Sequence, residues 1–288
     1  MLEIRLSFRL ISYWTRLTHY LSHEQMQTWG WRMPFIVGSL VGLLSYNLRK
    51  GVYETPVFES IAIKSRKQTK KELFSNLICN NPRLVLIGFS LTALSAVTVS
   101  LLLYLPSYFS LIAAHKNELA QQSYISTSTS FILLAVFSAF FGWLSDFFNR
   151  RMLLLVGSIA SMLSATIVAI LIHTDSTYFN LALTLLIPIS VSIVNGVYAI
   201  SIIELFPADF RSSGMGLSFN LGLALIGGIS PLLFTYLINI TGSVISPFGL
   251  FILCAVITFL GALKWTSNFE AGTSVTENTN NQLAHNPR

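Results

Sequence analysis

Long apolar runs alternate with short polar segments along this chain, at about 33–48, 83–105, 123–145, 152–172, 178–203, 214–239 and 246–265. A helix needs roughly 20 mostly apolar residues to cross about 30 Å of hydrocarbon, and every run but the first reaches that length. Apolar residues within the runs are continuous rather than alternating, which argues against a transmembrane β-barrel. The pattern predicts helices that satisfy their own backbone hydrogen bonds inside the bilayer. Pro188 and the Gly227-Gly228 pair fall inside two runs. Both are tolerated in membrane helices, where neighbouring groups re-satisfy the backbone. The fold class is therefore all-α, a polytopic membrane helical bundle with about seven transmembrane helices.

The polar segments orient the bundle, because short cytoplasmic loops carry an excess of Lys and Arg. The segment after the first run holds Arg49, Lys50, Lys64, Arg66, Lys67, Lys70, Lys71 and Arg83. Arg150 and Arg151 follow the third run and Arg211 follows the fifth, whereas the intervening segments hold only Lys116. The basic side is read as cytoplasmic, and with it the C-terminus. Residues 1–30 break the alternation, since Arg5, Arg9 and Arg16 would then lie outside. An Arg at mid-bilayer costs about 2.5–3.5 kcal/mol on insertion scales. This segment is read either as a remnant of missing upstream helices or as an interfacial helix, with Phe8, Leu10, Ile11, Trp14 and Leu17 on its apolar side. The organisation expected is an N-terminal remnant or interfacial segment at 1–30, a transmembrane region at 31–265 and a polar cytoplasmic tail at 266–288.

Composition narrows the function classes. Of 288 residues, 53% are hydrophobic and 10% charged, where soluble domains average about 25% charged. The net charge of +6 lies in the loops between apolar runs, which argues against nucleic acid as a partner. Cys79 and Cys254 form no disulfide framework or CxxC metal spacing. There is no HExxH, no Gly-x-Ser-x-Gly elbow and no Walker loop, so no enzyme, no metal and no cofactor is expected. Trp29, Trp31, Trp143 and Trp265 fall near run ends, where an aromatic belt would place them.

The segment Gly142-Trp143-Leu144-Ser145-Asp146-Phe147-Phe148-Asn149-Arg150-Arg151 joins two runs as a short charged hairpin. Gly142 lets helix ends approach closely, and Asp146 is placed to accept hydrogen bonds at a helix N-terminus. Arg150 and Arg151 are placed at the headgroups, within reach of a neighbouring carboxylate. The pattern G-x-L-x-D-x-x-x-R-R resembles the cytoplasmic loop signature of the major facilitator superfamily. That family usually has an arginine after the Asp and often a glycine before the basic pair, where this chain has Phe147 and Asn149.

Further segments extend the resemblance. Gly30-Trp31-Arg32-Met33-Pro34-Phe35 with Glu54-Thr55-Pro56-Val57-Phe58 is similar to the sixth-helix region of metabolite:proton symporters. Tyr104-Leu105-Pro106-Ser107-Tyr108 resembles the end of their seventh helix. Glu204-Leu205-Phe206-Pro207, with Arg211, Gly214 and Phe219-Asn220, resembles their run between the tenth and eleventh helices. Order and spacing over about residues 24–265 look like helices six to twelve of the proline/betaine transporter-like symporters.

The resemblance implies a secondary active transporter, a proton-coupled symporter of a small polar or zwitterionic metabolite such as an osmolyte or organic acid. It would work by alternating access between two bundles in the bacterial inner membrane. The family carries the loop signature twice and this chain once, so the resemblance implies the C-terminal half of a major facilitator fold plus one helix. A missing N-terminal half or a second copy of the chain would complete it. The alternative is a non-transporting scaffold or regulatory half-bundle, or an inactive remnant.

Two groups of site residues follow. The gating group is Gly142, Asp146, Arg150, Arg151, Glu204 and Arg211. Glu204 lies at a span end, where an unpaired charge is expensive, and a relay with Arg211, Asp146 and Arg150 would stabilise one state of the transporter. The spans carry no Asp, Glu, Lys, Arg or His away from their ends. Family topology puts Tyr104, Tyr108, Asn195 and Tyr198 on the solute path, with Asn220 a further polar candidate. Each of these has a plain reading as a helix–helix hydrogen bond, worth about 0.6 kcal/mol on average. The Ser/Thr run 126–130 reads as packing glue in the same sense.

Overall fold

A computed structural model describes residues 23–49, 82–112, 117–172, 176–207 and 211–266. The expected N-terminal segment up to residue 22, the basic loop 50–81 and the tail 267–288 lie outside the described residues. The chain divides after Lys64 into two compact units. The first holds α1 (His23–Thr28), a 3-10 turn at Gly30–Arg32 and α2 (Met33–Arg49). Pro34 sits in the first turn of α2, where its missing N–H has no helical partner to lose. α2 is apolar and exposed at Phe35, Ile36, Leu40, Leu43 and Leu44. At 17 residues it is shorter than the spans that follow.

Among the described residues, the second unit contains six helices long and apolar enough to cross a membrane. They are α3 (Pro82–Ile112), α4 (Asn117–Leu144), α5 (Arg150–Leu171), α6 with α7 (Ser176–Asn195 and Tyr198–Leu205), α8 with α9 (Arg211–Leu221 and Gly228–Thr241) and α10 (Ser246–Lys264). The six longer predicted runs are all present as helices. Two are interrupted where the apolar pattern predicts continuity. The run 178–203 breaks at Gly196-Val197, and the run 214–239 contains a π-helical segment at Gly222–Gly227.

α3 lies at the centre, packed against α4, α6, α7, α8, the π segment, α9 and α10. Without a hydrophobic drive between helices in lipid, such packing relies on small residues and on hydrogen bonds. Gly88, Thr92 and Ser100 of α3 face Ser218, Gly222 and Gly227. A Cβ on Gly222 would fall 2.1 Å from the Thr92 hydroxyl oxygen, and one on Gly261 of α10 would fall 1.9 Å from that of Ser90. The Thr258 hydroxyl bridges one turn of α3, donating to the Ser90 carbonyl at 2.8 Å and accepting from the Leu94 amide at 3.1 Å.

Helix-interior prolines remove a donor, and at two of the three, Pro231 and Pro188, a serine on a neighbouring helix meets the carbonyl one turn earlier. Pro231 cannot donate to Gly227, and Ser100 Oγ donates to that carbonyl at 2.6 Å. Pro188 cannot donate to Thr184, and Ser130 Oγ reaches that carbonyl at 3.4 Å. Other hydroxyls, such as Thr98, Ser158 and Ser161, bond within their own helices.

The outer surface of the unit is apolar. Leu86, Leu103, Ile132, Val136, Leu163, Ile170, Leu232 and Ile240 are all exposed, as a lipid-facing surface requires. The spans alternate in direction, so Arg83, Arg150, Arg151, Glu204, Arg211 and Lys264 gather at one end of the unit.

Candidate functional site

The charged end is organised around the turn between α4 and α5. α4 ends at Leu144, and the amides of Ser145, Phe147 and Phe148 return to the carbonyls of Phe141 and Leu144. The Ser145 hydroxyl donates to the Gly142 carbonyl at 2.7 Å. α5 then starts at Arg150, earlier than the apolar run suggests. Its cap is Asn149, whose side chain accepts from the Arg151 amide at 2.9 Å. Asp146, expected near a helix N-terminus, lies in the turn three residues before this cap. It is exposed, and among the described residues its side chain has no ion-pair partner.

The two arginines separate. Arg150 pairs with Glu204 at the end of α7, the side chains being 23% and 15% exposed. Its Nε is buried without a hydrogen-bond partner among the described residues. Arg151 turns the other way and donates to the Leu263 carbonyl. A cation at the last turn of α10 suits both the free carbonyls and the dipole there. Arg211, the first residue of α8, is half-buried.

Gly142 supports this arrangement through a residue that sequence reasoning did not single out. It meets Gly196, the break between α6 and α7, where a Cβ would lie 2.6 Å from the Gly142 amide nitrogen and from the Ser138 carbonyl oxygen. The Asn195-Gly196 dipeptide inside an apolar run is the signal that could have found it. Gly214 of the Arg211 segment acts similarly, since a Cβ there would fall 2.5 Å from the buried ring of Phe206. Trp143 stays at the surface, but Trp265 is buried beneath α7 rather than in a belt. Its Nε1 donates to the Ser201 carbonyl at 2.8 Å.

Further along, Ser95 of α3 donates to the Asn195 side chain. Tyr198 stacks on Phe219 with centroids 6.2 Å apart. Asn220 is exposed and bonds the Gly216 carbonyl of its own helix at 2.7 Å. Tyr104 and Tyr108 are placed differently. Both are buried, with the Tyr104 hydroxyl 2.9 Å from that of Thr235 and the Tyr108 hydroxyl donating to the Val244 carbonyl at 2.7 Å. Around them pack Phe109, Phe179, Phe234 and Phe248. The structure thus bonds Asn195 to Ser95, with Tyr198 nearby, and sets the other two tyrosines in an aromatic cluster. No group of His, Cys, Asp and Glu among the described residues could hold a metal.

These features define a polytopic helical integral membrane protein in which the ionised groups of the described spans lie at the span ends. The chain belongs to the Major Facilitator Superfamily, whose family model matches residues 25–217. It is 29% identical over 255 residues to the citrate-proton symporter of Salmonella typhi, covering 88% of this chain and 56% of that protein. It is 27% identical over 259 residues to the proline/betaine transporter of Salmonella typhimurium, covering 86% of this chain and 51% of that protein. The chain spans about half the length of the curated relatives it matches. No solved structure matches it significantly.

Proposed function

We propose that this chain forms one bundle of a secondary active transporter that moves a small polar or zwitterionic solute together with protons. The observation that carries the reading is the Arg150–Glu204 ion pair, which ties the first turn of α5 to the last turn of α7 beside the family loop signature. Such a pair holds one end of the bundle in a defined arrangement, and its opening and closing suits a two-state, alternating-access element. The cytoplasm receives the basic end in this reading, as the Lys and Arg distribution supports.

The solute wall contributed by this bundle is Ser95, Asn195 and Tyr198, with Asn220 on the neighbouring helix. It carries hydroxyl, amide and aromatic groups and no ion, which suits a zwitterion better than a multiply charged anion. The relatives named for proline/betaine and for citrate bracket those two chemistries. No carboxylate sits at mid-span among the described residues, so the proton-binding group belongs to the second bundle or to the solute itself. Family membership favours transport over enzymatic catalysis.

The test is a charge swap in cells lacking their own uptake system, with the chain expressed as part of a two-bundle transporter. Arg150→Glu and Glu204→Arg should each lower uptake about tenfold, equivalent to roughly 1.4 kcal/mol, and the double swap should restore most of it. Singles without effect, or a double no better than the singles, would remove the gate.

A further inference from the structure

α7 is a helical segment of 8 residues with its own ends. It begins after the break at Gly196-Val197 and stops at Phe206, whose extended backbone (φ −98, ψ 139) is what a residue before proline adopts. Neighbouring elements hold it at several points. Tyr198 stacks on Phe219 of α8, and the Phe206 ring just beyond it lies against Gly214. Among its polar anchors are the Glu204 carboxylate, paired with Arg150, and the Ser201 carbonyl, which accepts from Trp265 Nε1 at 2.8 Å.

The polar anchors differ in their access to water. Trp265 is 6% exposed, and its hydrogen bond is buried, so breaking it would leave a desolvated donor and acceptor unmatched. The ion-pair side chains are 23% and 15% exposed, and water can replace the contact as it opens. The Arg150 guanidinium is also incompletely satisfied, its Nε lacking a partner among the described residues. Trp265 itself is held firmly, because Arg151 ties the adjoining last turn of α10 to the start of α5 through the Leu263 carbonyl.

We infer that Trp265 is a positioning residue: its indole N–H pins the middle of α7 to α10 and serves as the pivot, while the Arg150–Glu204 pair at the tip is the contact that releases. The purpose of this motion rests on the transporter reading above, but the pin is a property of this chain alone. Tip release would move Glu204 and its turn while leaving Tyr198, beyond the pivot, against Phe219.

Amide hydrogen exchange on the full chain in lipid nanodiscs tests this, read in overlapping fragments across residues 196–207. Trp265→Phe keeps an aromatic ring, smaller than indole, and removes the donor. It should speed exchange about tenfold over the whole of α7, the scale expected for losing one buried hydrogen bond. Glu204→Gln should speed exchange only in the last turn, and Trp143→Phe should change nothing in α7. The inference is overturned if Trp265→Phe matches the Trp143→Phe control, or if Glu204→Gln opens all of α7 while Trp265 is present. It is equally overturned if Trp265→Phe unprotects α3 and α5 as much as α7, which would make Trp265 a general packing residue. Uptake is judged separately: exchange that follows the prediction without transport of any solute would sink the transporter reading and leave the pin standing.

Discussion

Gly196 and Gly142 touch backbone to backbone, with a Cβ on Gly196 falling 2.6 Å from the Gly142 amide nitrogen. The contact joins the family loop signature to the break that separates Asn195 from Tyr198. It links the α4–α5 turn to the segment that carries Asn195 and Tyr198 through backbone atoms, which cannot move aside as a side chain can.

The two glycines should therefore differ under substitution. A methyl at Gly196 meets backbone at 2.6 Å, whereas one at Gly142 meets only the Gly196 carbonyl oxygen at 3.4 Å. Gly196→Ala should destabilise the bundle by about 1–3 kcal/mol, the usual range for overpacking, and Gly142→Ala by clearly less. Thermal unfolding in detergent reads the order, and equal effects would show that the crossing is looser than described.

The spans were legible because bilayer thickness imposes a length that apolar runs display directly. The ion pair was legible in part, since Glu204 and Arg150 both sit at span ends, where an unpaired charge is costly. What escaped depends on tertiary contact. The break at Gly196 follows from the approach of α4, and apolar periodicity is blind to it. The cap at Asn149 escaped because α5 begins at a charged residue, before its apolar run. Trp265 resembled a belt residue because hydropathy places a tryptophan at a span end without saying which way it faces. Family topology puts Tyr104 and Tyr108 on the solute path, and the sequence does not show that their hydroxyls meet Thr235 and Val244 inside the bundle.

The serine–proline pairing gives a second prediction. Ser100→Ala leaves the Gly227 carbonyl without its donor in a segment where Pro231 has already removed one. It should cost about 1–3 kcal/mol, as an unsatisfied buried carbonyl does. In a Pro231→Ala background the helix can supply its own donor, and the same substitution should cost distinctly less. A double-mutant cycle on unfolding measures the difference; additivity would mean that Ser100 does not stand in for the missing amide.

Orientation is tested by thiol labelling of intact cells, with Cys79 and Cys254 replaced by serine. Asp146 and Thr241 are both exposed and lie at opposite ends of the unit. A cysteine at Thr241 should react with an impermeant reagent from outside, and one at Asp146 should react only after the membrane is opened. The reverse pattern would invert the topology and place the ion pair outside.

The central claim, that this chain is one bundle of a proton-coupled transporter, is tested most directly by complementation in cells lacking their own uptake systems. The chain is expressed alone and together with the N-terminal bundle of a proline/betaine or citrate symporter, and accumulation of labelled proline, betaine and citrate is measured. The account predicts accumulation that requires a second bundle, collapses with a protonophore and falls about tenfold with Glu204→Arg, roughly 1.4 kcal/mol. Accumulation by the chain alone would assign the second bundle to another copy of it. Correctly inserted chain that accumulates no solute in any combination, or does so unaffected by the protonophore and by Glu204→Arg, would contradict the claim.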